Sequence, residues 1–229
     1  MTISEMHNGV KQELDKTSSL ELPAFEEEEI DYWLNQTILT FINQRYGGVN
    51  IKGTGIEETQ KRIEDLRTLV VNNDLISSAS TYYPNNYCFD LPSDYYLLLT
   101  DQVDISYTSD ITGQAGSKRV GTTPTTLDRY TVMLRDPFSE HIFYKDYACP
   151  LRLIQDTEMV FITDGTYTIT DSRISYIKNP ATVDLTGVVN CDLPNHTHQE
   201  IVKMTANKML ENIESPRYAT IEREVHKME

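Results

Sequence analysis

The chain has 229 residues, of which 35 are acidic and 20 are basic, and its formal net charge is −15 at pH 7. This length accommodates one large domain or a body with a substantial insertion. Because no segment is basic, the sequence lacks the electrostatic footprint of a protein that binds nucleic-acid phosphates tightly. An acidic surface of this kind keeps copies soluble and repels nucleic acid.

The cysteines and the N-terminus argue against a secreted or membrane protein. Cys88, Cys149 and Cys191 are odd in number and far apart, unlike the cysteines of a disulfide scaffold. The N-terminus has no basic segment followed by an apolar run, so no signal peptide is expected. No apolar stretch approaches the roughly 20 residues that span a bilayer. We therefore expect a protein made in a cytoplasm, with no membrane partner.

Three helical patterns fill the N-terminal third. Residues 1–16 predict a short helix with a Thr2/Glu5 capping box. A longer helix is predicted from Pro23 to Tyr46, because apolar residues recur at spacings of three and four and Glu26 to Glu29 lie in its first turn. A third helix is predicted over 55–71. The stripes of the second and third helices include Ile30, Trp33, Leu34, Ile38, Phe41, Ile42, Ile56, Ile63, Leu66 and Val70.

From about residue 75 the composition changes to one typical of strands and turns. Short strands are predicted at 76–79, 87–91, 95–107, 141–147, 151–155, 159–163, 167–170 and 173–177. Residues 127–134 are either strand or helical turn. Residues 109–126, rich in Ser, Thr and Gly, predict a long mobile loop. Asp164-Gly165 predicts a hairpin turn between two strands.

Helix returns near the C-terminus. Thr197 and Glu200 match a capping box directly before an amphipathic stripe that includes Ile201 and Met209. Ser215-Pro216 ends this helix. The charged tail that follows carries Tyr218, Ile221 and Val225 at helical spacing and is too short to be a stable free helix.

These patterns together predict an α+β protein. Residues 1–75 and 192–229 are expected to form one discontinuous helical bundle with a C-terminal tail. Residues 76–191 are expected to form a β-rich antiparallel insertion, either a sandwich or a barrel. The predicted helical core consists of Ile30, Trp33, Leu34, Phe41, Ile63, Leu66, Ile201 and Met209.

One cluster resembles a metal site. His196 and His198, two residues apart, combine with Cys191 in a way that suits zinc. The spacing matches no strong zinc pattern, and the first turn of a helix explains His198 as a capping or solvent-exposed residue. No cofactor is therefore predicted, and a metal-dependent hydrolase is kept as a minor hypothesis.

No other catalytic signature is present. Nucleophile elbows, phosphate-binding loops and dinucleotide fingerprints are all missing, so an enzyme is not expected. The 14 tyrosines, most of them in the β region, have two interpretations. They are ordinary strand content, or they form an interface, where tyrosine offers a large rigid contact surface.

Several stretches resemble the proteins of one family. They are residues 1–7, Glu28–Gln36, Glu58–Arg67, Asp192–Val202 and Met209–Tyr218. These stretches are similar to the head-to-tail adaptor, the ring protein below the portal, of crAss-like and other podovirus-type phages that infect Bacteroides. The similarity covers about half of the chain, at both ends, and is much weaker in the β insertion. Related head-completion and tail-terminator proteins also form rings.

The resemblance implies a structural virion protein that assembles in the bacterial host cytoplasm. It implies a dodecameric ring that docks under the portal, continues the DNA channel and carries later neck or tail ring proteins. DNA would pass through as a non-sticking cargo. The C-terminal segment would contact the portal or a neighbouring copy, with candidate residues Ser215, Pro216, Arg217, Tyr218, Ile221 and Val225. The alternative function is a receptor- or glycan-binding tail module that uses the tyrosine-rich β region.

Overall fold

The computed structural model describes residues 1–15, 25–47, 59–78 and 83–212. As the sequence predicts, the fold is α+β with a β-rich insertion. The described elements, in chain order, are α1 (Ile3–Asp15), α2 (Glu27–Gly47), α3 (Gln60–Leu66), a 3-10 turn (Arg67–Leu69), β1 (Val70–Asp74), β2 (Ile76–Ser78), β3 (Asn86–Asp90), β4 (Tyr95–Thr108), β5 (Ala115–Val120), β6 (Thr123–Pro124), α4 (Tyr130–Met133), β7 (Leu151–Gln155), β8 (Glu158–Ile162), β9 (Thr168–Lys178) and α5 (His198–Asn212).

The chain divides into two compact units. The helical unit comprises Met1–Leu69 and Asn179–Glu229, and the β unit comprises Val70–Lys178. No helix among the described residues is long and apolar enough to cross a membrane.

In the helical unit, α5 packs against both α1 and α2. The first capping box forms as predicted, because Thr2 N donates to Glu5 Oε2 at 2.9 Å and Glu5 N donates to Thr2 Oγ1 at 3.3 Å. Six of the predicted core residues are fully buried, and each contributes roughly 1.5–3 kcal/mol of hydrophobic stabilisation. They are Ile30, Leu34, Phe41, Leu66, Ile201 and Met209.

Two predicted core residues are not fully buried. Trp33 is half-buried, and Ile63 is 40% exposed. In α3 the inward positions are taken by Arg62 and Asp65 beside Leu66. Because both charged side chains have hydrogen-bond partners, they can be buried, and they turn the helix so that Ile63 faces outward.

The β unit contains two sheets whose buried side chains share one core. The four-stranded sheet has the order β1-β9-β4-β5, and the five-stranded sheet has the order β2-β3-β8-β7-β6. All pairs are antiparallel except β6 with β7. Phe89 and Phe161 from one sheet join Val103, Ile105 and Ile174 from the other in a single cluster, so the two sheets pack against each other.

Two predicted boundaries are wrong, those of the loop at 109–126 and the end of the third helix. The expected mobile loop 109–126 contains β5, which pairs along β4 from Val103 with Val120 to Thr108 with Ala115. Val120 is the buried residue of that edge strand, so the rest of it is polar and gives no apolar alternation. The predicted third helix also ends too late, because Val70 begins β1 and pairs with Ile177.

Three further strand predictions need correction. Residues 141–147 form no strand and contain an isolated bridge between Tyr144 and Tyr147. The two strands predicted at 167–170 and 173–177 are one continuous strand, β9. The Asp164-Gly165 turn connects β8 to β9, which lie in different sheets, so it makes a sheet crossing rather than a hairpin. Residues 127–134 include a helical turn, α4.

Candidate assembly interface

A buried network of charges joins three helices of the helical unit. Arg45 Nε donates to Asp65 Oδ2 at 2.9 Å, and its Nη2 donates to Glu200 Oε1 at 2.5 Å. The guanidinium also lies 4.6 Å from the centre of the Phe41 ring. Since Arg45, Asp65 and Glu200 come from α2, α3 and α5, this network fixes how those helices meet.

The network overrides the second predicted capping box. Glu200 turns inward to Arg45 instead of capping α5, and the Thr197 hydroxyl donates to the Pro194 carbonyl oxygen at 2.9 Å. At the N-terminus of α5, Glu200 is therefore bound by a distant residue, while Thr197 bonds locally to Pro194.

The candidate metal ligands do not converge. His196 Nε2 donates to Asp65 Oδ1 at 2.9 Å, while His198 Nε2 donates to the Leu193 carbonyl oxygen at 2.8 Å. Cys191 is half-buried, and burial raises the pKa of its thiol. In the described part of the chain, no group of three or more His, Cys, Asp or Glu side chains is placed to hold an ion.

His198 is a buried side chain rather than the capping or solvent-exposed residue expected from the sequence. It is 2% exposed, and desolvation lowers its pKa. Its Nδ1 atom is buried without a hydrogen-bond partner among the described residues. Because burial disfavours the charged imidazolium, the structure favours neutral His198.

A short hairpin, residues 184–189, is hydrogen-bonded to α2 at its base. The Asp184–Val189 bridge closes it, with Val189 N donating to Asp184 O at 2.9 Å. The Asn35 side chain makes two hydrogen bonds with the backbone of Val183, the residue before the hairpin. Val183 N donates to Asn35 Oδ1 at 2.8 Å, and Asn35 Nδ2 donates to Val183 O at 3.0 Å. Leu185 N donates to Asp31 Oδ2 at 3.1 Å.

The tip of the 184–189 hairpin is strained and apolar. Val188 has a φ of +55° and is 70% exposed. Such a position usually holds Gly or Asn, because a β-branched side chain there costs on the order of 1–3 kcal/mol. A Cβ at the preceding Gly187 would lie 2.8 Å from Asp184 Oδ2, so the Asp184 carboxylate would have to shift. Among the described residues, packing does not bury the Val188 side chain and so does not offset its strain.

A groove of about 430 Å³ lies between α2 and α5. Tyr32 is 58% exposed, and its ring meets that of the half-buried Trp33 edge-on, with centres 5.5 Å apart. Lys208 Nζ donates to Thr40 Oγ1 at 2.7 Å, and burial lowers the pKa of its amine. The lining residues are Tyr32, Trp33, Gln36, Lys208, Glu211 and Asn212. We call this feature the α2–α5 groove.

Most of the described tyrosines of the β unit pack in its hydrophobic clusters. Tyr83, Tyr167 and Tyr176 are buried, and burial raises the pKa of Tyr176 to about 12. Tyr144 and Tyr147 are at least half exposed and each has a lysine side chain over its ring. Most of these tyrosines therefore fit the interpretation as ordinary strand content. Tyr144 and Tyr147 are exposed enough to take part in an interface.

The segment between β6 and β7 carries exposed apolar side chains. Phe138 is 92% exposed, and Leu127 and Val132 are each more than half exposed. Large apolar side chains at such exposure are typical of surfaces that meet another protein. The sequence predicted strand or helical turn at 127–134 and a strand at 141–147, and no pattern marked this segment as a contact surface.

A polar depression of about 610 Å³ lies on the outer face of the four-stranded sheet. Its side chains pair with one another, with Ser175 Oγ donating to Asn72 Oδ1 at 2.6 Å and Arg173 Nε lying 2.7 Å from Asp74 Oδ1. Its lining in the described chain includes no tyrosine. It therefore gives no support to a tyrosine-based glycan site.

The candidate portal or neighbour contacts at the C-terminus lie outside the described residues. They are Ser215, Pro216, Arg217, Tyr218, Ile221 and Val225.

Comparison with known proteins identifies the family. The model of the phage tail ring protein 3/4 family matches residues 1–215, which is nearly the whole chain. The chain belongs to the phage tail ring protein 3/4 family. A relative, "Ring protein 4/5" of Bacteroides phage crAss001, is 24% identical over 173 residues, covering 67% of this chain and 68% of that protein.

Membership of the phage tail ring protein 3/4 family makes this chain a structural ring protein of crAss-like phages. The family match extends across both the helical unit and the β unit, whereas the resemblance from sequence was strong only at the two ends. The β insertion is thus part of the family's ring protein and not an unrelated addition.

Proposed function

We propose that copies of this chain close into a ring in the neck or tail of the virion and extend the channel for DNA. The observation that carries the proposal is the family match over residues 1–215. The net charge of −15 supports a passage role, because an acidic wall does not retain a phosphate backbone. Assembly would take place in the bacterial host cytoplasm before the virion is released.

We further propose a dodecameric ring that docks under the portal as a head-to-tail adaptor. Support for this finer role comes from the resemblance of the terminal segments to such adaptors. Ser215 to Val225 would then contact the portal or a neighbouring copy, and the β unit would carry later ring or tail proteins. A position farther along the tail is the alternative, which the family's name favours.

The two units are proposed to be separate domains with different partners. The helical unit, Met1–Leu69 and Asn179–Glu229, would form the ring body, and the β unit, Val70–Lys178, would present the exposed apolar segment around Phe138 to another neck or tail protein. This division is supported by the two compact units and by the exposure of Phe138. It gives the strained hairpin and the exposed phenylalanine different roles.

Purification of the full chain with and without the portal tests the function. Mass measurement and negative-stain images are expected to show closed rings, alone or on the portal as a template, since an array strengthens weak single contacts. A compact monomer or trimer that binds host glycans and never joins a ring would contradict the proposal. That result would favour a receptor-binding module with Tyr144 and Tyr147 at its surface.

A further inference from the structure

A closed ring needs two different patches on every copy. In a head-to-tail contact, one patch of each copy meets the other patch of the next copy, and the rotation between neighbours closes the ring. The helical unit carries two features of this kind, the 184–189 hairpin and the α2–α5 groove. One is a projecting apolar tip and the other is a concave surface.

Both features are positioned by the same helix. Successive residues of an α-helix are about 100° apart around its axis. The hairpin is held by Asp31 and Asn35, while Gln36 and Trp33 line the groove. From Asn35, Tyr32 is about 60° around the axis, Gln36 about 100° and Trp33 about 160°. No residue of the hairpin is among the described residues that line the groove, so within this part of the chain a copy does not fill its own groove with its own hairpin.

Strain and exposure distinguish the tip from an ordinary surface loop. Val188 combines a positive φ with 70% exposure, although Gly or Asn would remove the strain. Hydrogen bonds with Asp31 and Asn35 hold the backbone of Leu185 and Val183 at the base of the hairpin. A rigid, projecting apolar residue loses little conformational entropy on binding, which favours its use in a contact.

The chemistry of the groove suits this tip. Tyr32 and Trp33 offer aromatic surface for a valine side chain, and the volume of about 430 Å³ exceeds what one side chain needs. The groove also contains the amine of Lys208, whose burial disfavours its charge. Glu211 in the same groove already favours the charged amine, and Asp184 of the hairpin would add a second carboxylate beside it when the groove is covered.

We propose that the 184–189 hairpin of one copy docks in the α2–α5 groove of the next copy and forms the repeated contact of the ring. This inference rests on the proposed ring function. It assigns the groove to a second copy. Glu211 and Asn212 line the groove and directly precede residues 213–229, so the chain's own C-terminal segment is the competing occupant.

Disulfide trapping between two single variants tests the contact. In a Cys191→Ser background, full-length Val188→Cys protein is mixed with full-length Gln36→Cys protein under ring-forming conditions and oxidised. Because each chain carries one half of the pair, a dimer containing one copy of each variant reports contact between copies. Val188→Cys mixed with Glu28→Cys is the matched control, since Glu28 is an exposed residue of the same helix.

The expected result is a disulfide-linked dimer in the first mixture at least about tenfold above the control. Rings without that dimer would overturn the docking contact and leave the ring function intact. An intramolecular disulfide in a Gln36→Cys/Tyr218→Cys variant, with no dimer in the mixture, would assign the groove to the C-terminal segment and also overturn it. If the native chain forms no ring under any condition, the ring function and the contact fall together.

Discussion

Arg45 and Glu200 are 155 positions apart in the sequence, yet Nη2 of one lies 2.5 Å from Oε1 of the other inside the helical unit. The same guanidinium bonds Asp65, which also accepts a hydrogen bond from His196. Because this network links α2 and α3 to α5, these N-terminal helices and the C-terminal helix form one unit.

Removing the cation is expected to destabilise the helical unit strongly. Arg45→Met removes the cation from the buried carboxylates of Asp65 and Glu200 and leaves Asp65 with its hydrogen bond from His196, which costs about 3–5 kcal/mol. Urea unfolding followed by the fluorescence of Trp33, the single tryptophan, measures the change in the free energy of unfolding. The matched control is Arg67→Ala, whose exposed pairing with Glu64 contributes little. Equal midpoints for Arg45→Met and the native chain would refute a structural role for the network.

The protein is expected to lose stability as the pH falls below about 6.5. The folded-state pKa values of His198 and His141 are lowered by burial, so the unfolded chain binds more protons between the folded and unfolded pKa values. Stability is therefore full above the unfolded pKa of about 6.5 and declines below it.

Thermal unfolding at pH 7.5 and pH 5 measures this dependence. His198→Gln keeps an N–H donor that can reach the Leu193 carbonyl but cannot be protonated, so it should reduce the loss between the two pH values. An unchanged pH dependence in this variant would show that His198 does not contribute to it.

Val188→Asn is expected to stabilise the single copy and weaken the ring. Asn tolerates a φ near +55°, so the substitution should raise the free energy of unfolding by about 1 kcal/mol. The apolar tip is lost, so self-association at a fixed concentration should fall. Val189→Asn is the control, because Val189 is exposed but does not have a positive φ. Sedimentation and urea unfolding of the same preparations separate the two effects. A Val188→Asn variant that assembles normally would contradict the role of the tip.

Phe138→Ser is expected to leave folding unchanged and impair incorporation into the virion. The side chain is 92% exposed, so its removal should change the free energy of unfolding by no more than about 0.5 kcal/mol. Unchanged thermal unfolding together with fewer copies per particle would indicate a partner contact. Full incorporation would exclude Phe138 from any essential contact.

Local patterns predicted the parts of the fold that local interactions determine. The stripe from Ile30 to Ile42 forms a helix because its apolar spacing matches the helical period, and the Thr2/Glu5 box forms because its partners are three residues apart. The Thr197/Glu200 box has the same spacing but does not form, because Arg45 binds Glu200 instead. A buried charge pair outweighs a cap, and no local pattern identifies a partner 155 positions away.

The candidate interface was harder to predict than the fold. β5 has little apolar content because it is an edge strand with one buried residue, Val120, so its sequence resembles a loop. Val188 was not identified from the sequence, since its positive φ is a property of the folded hairpin and not of a residue pattern. The groove requires that α2 and α5 be packed, and that packing follows from tertiary contacts rather than from sequence spacing.

The most direct test of the ring is an electron cryo-microscopy map of the intact virion at a resolution that traces this chain. We expect a closed ring of identical copies in the neck or tail, with the 184–189 hairpin of each copy against Tyr32 and Trp33 of the next. A map in which this chain is present as isolated copies, or is absent from every ring around the DNA channel, would contradict the proposed function.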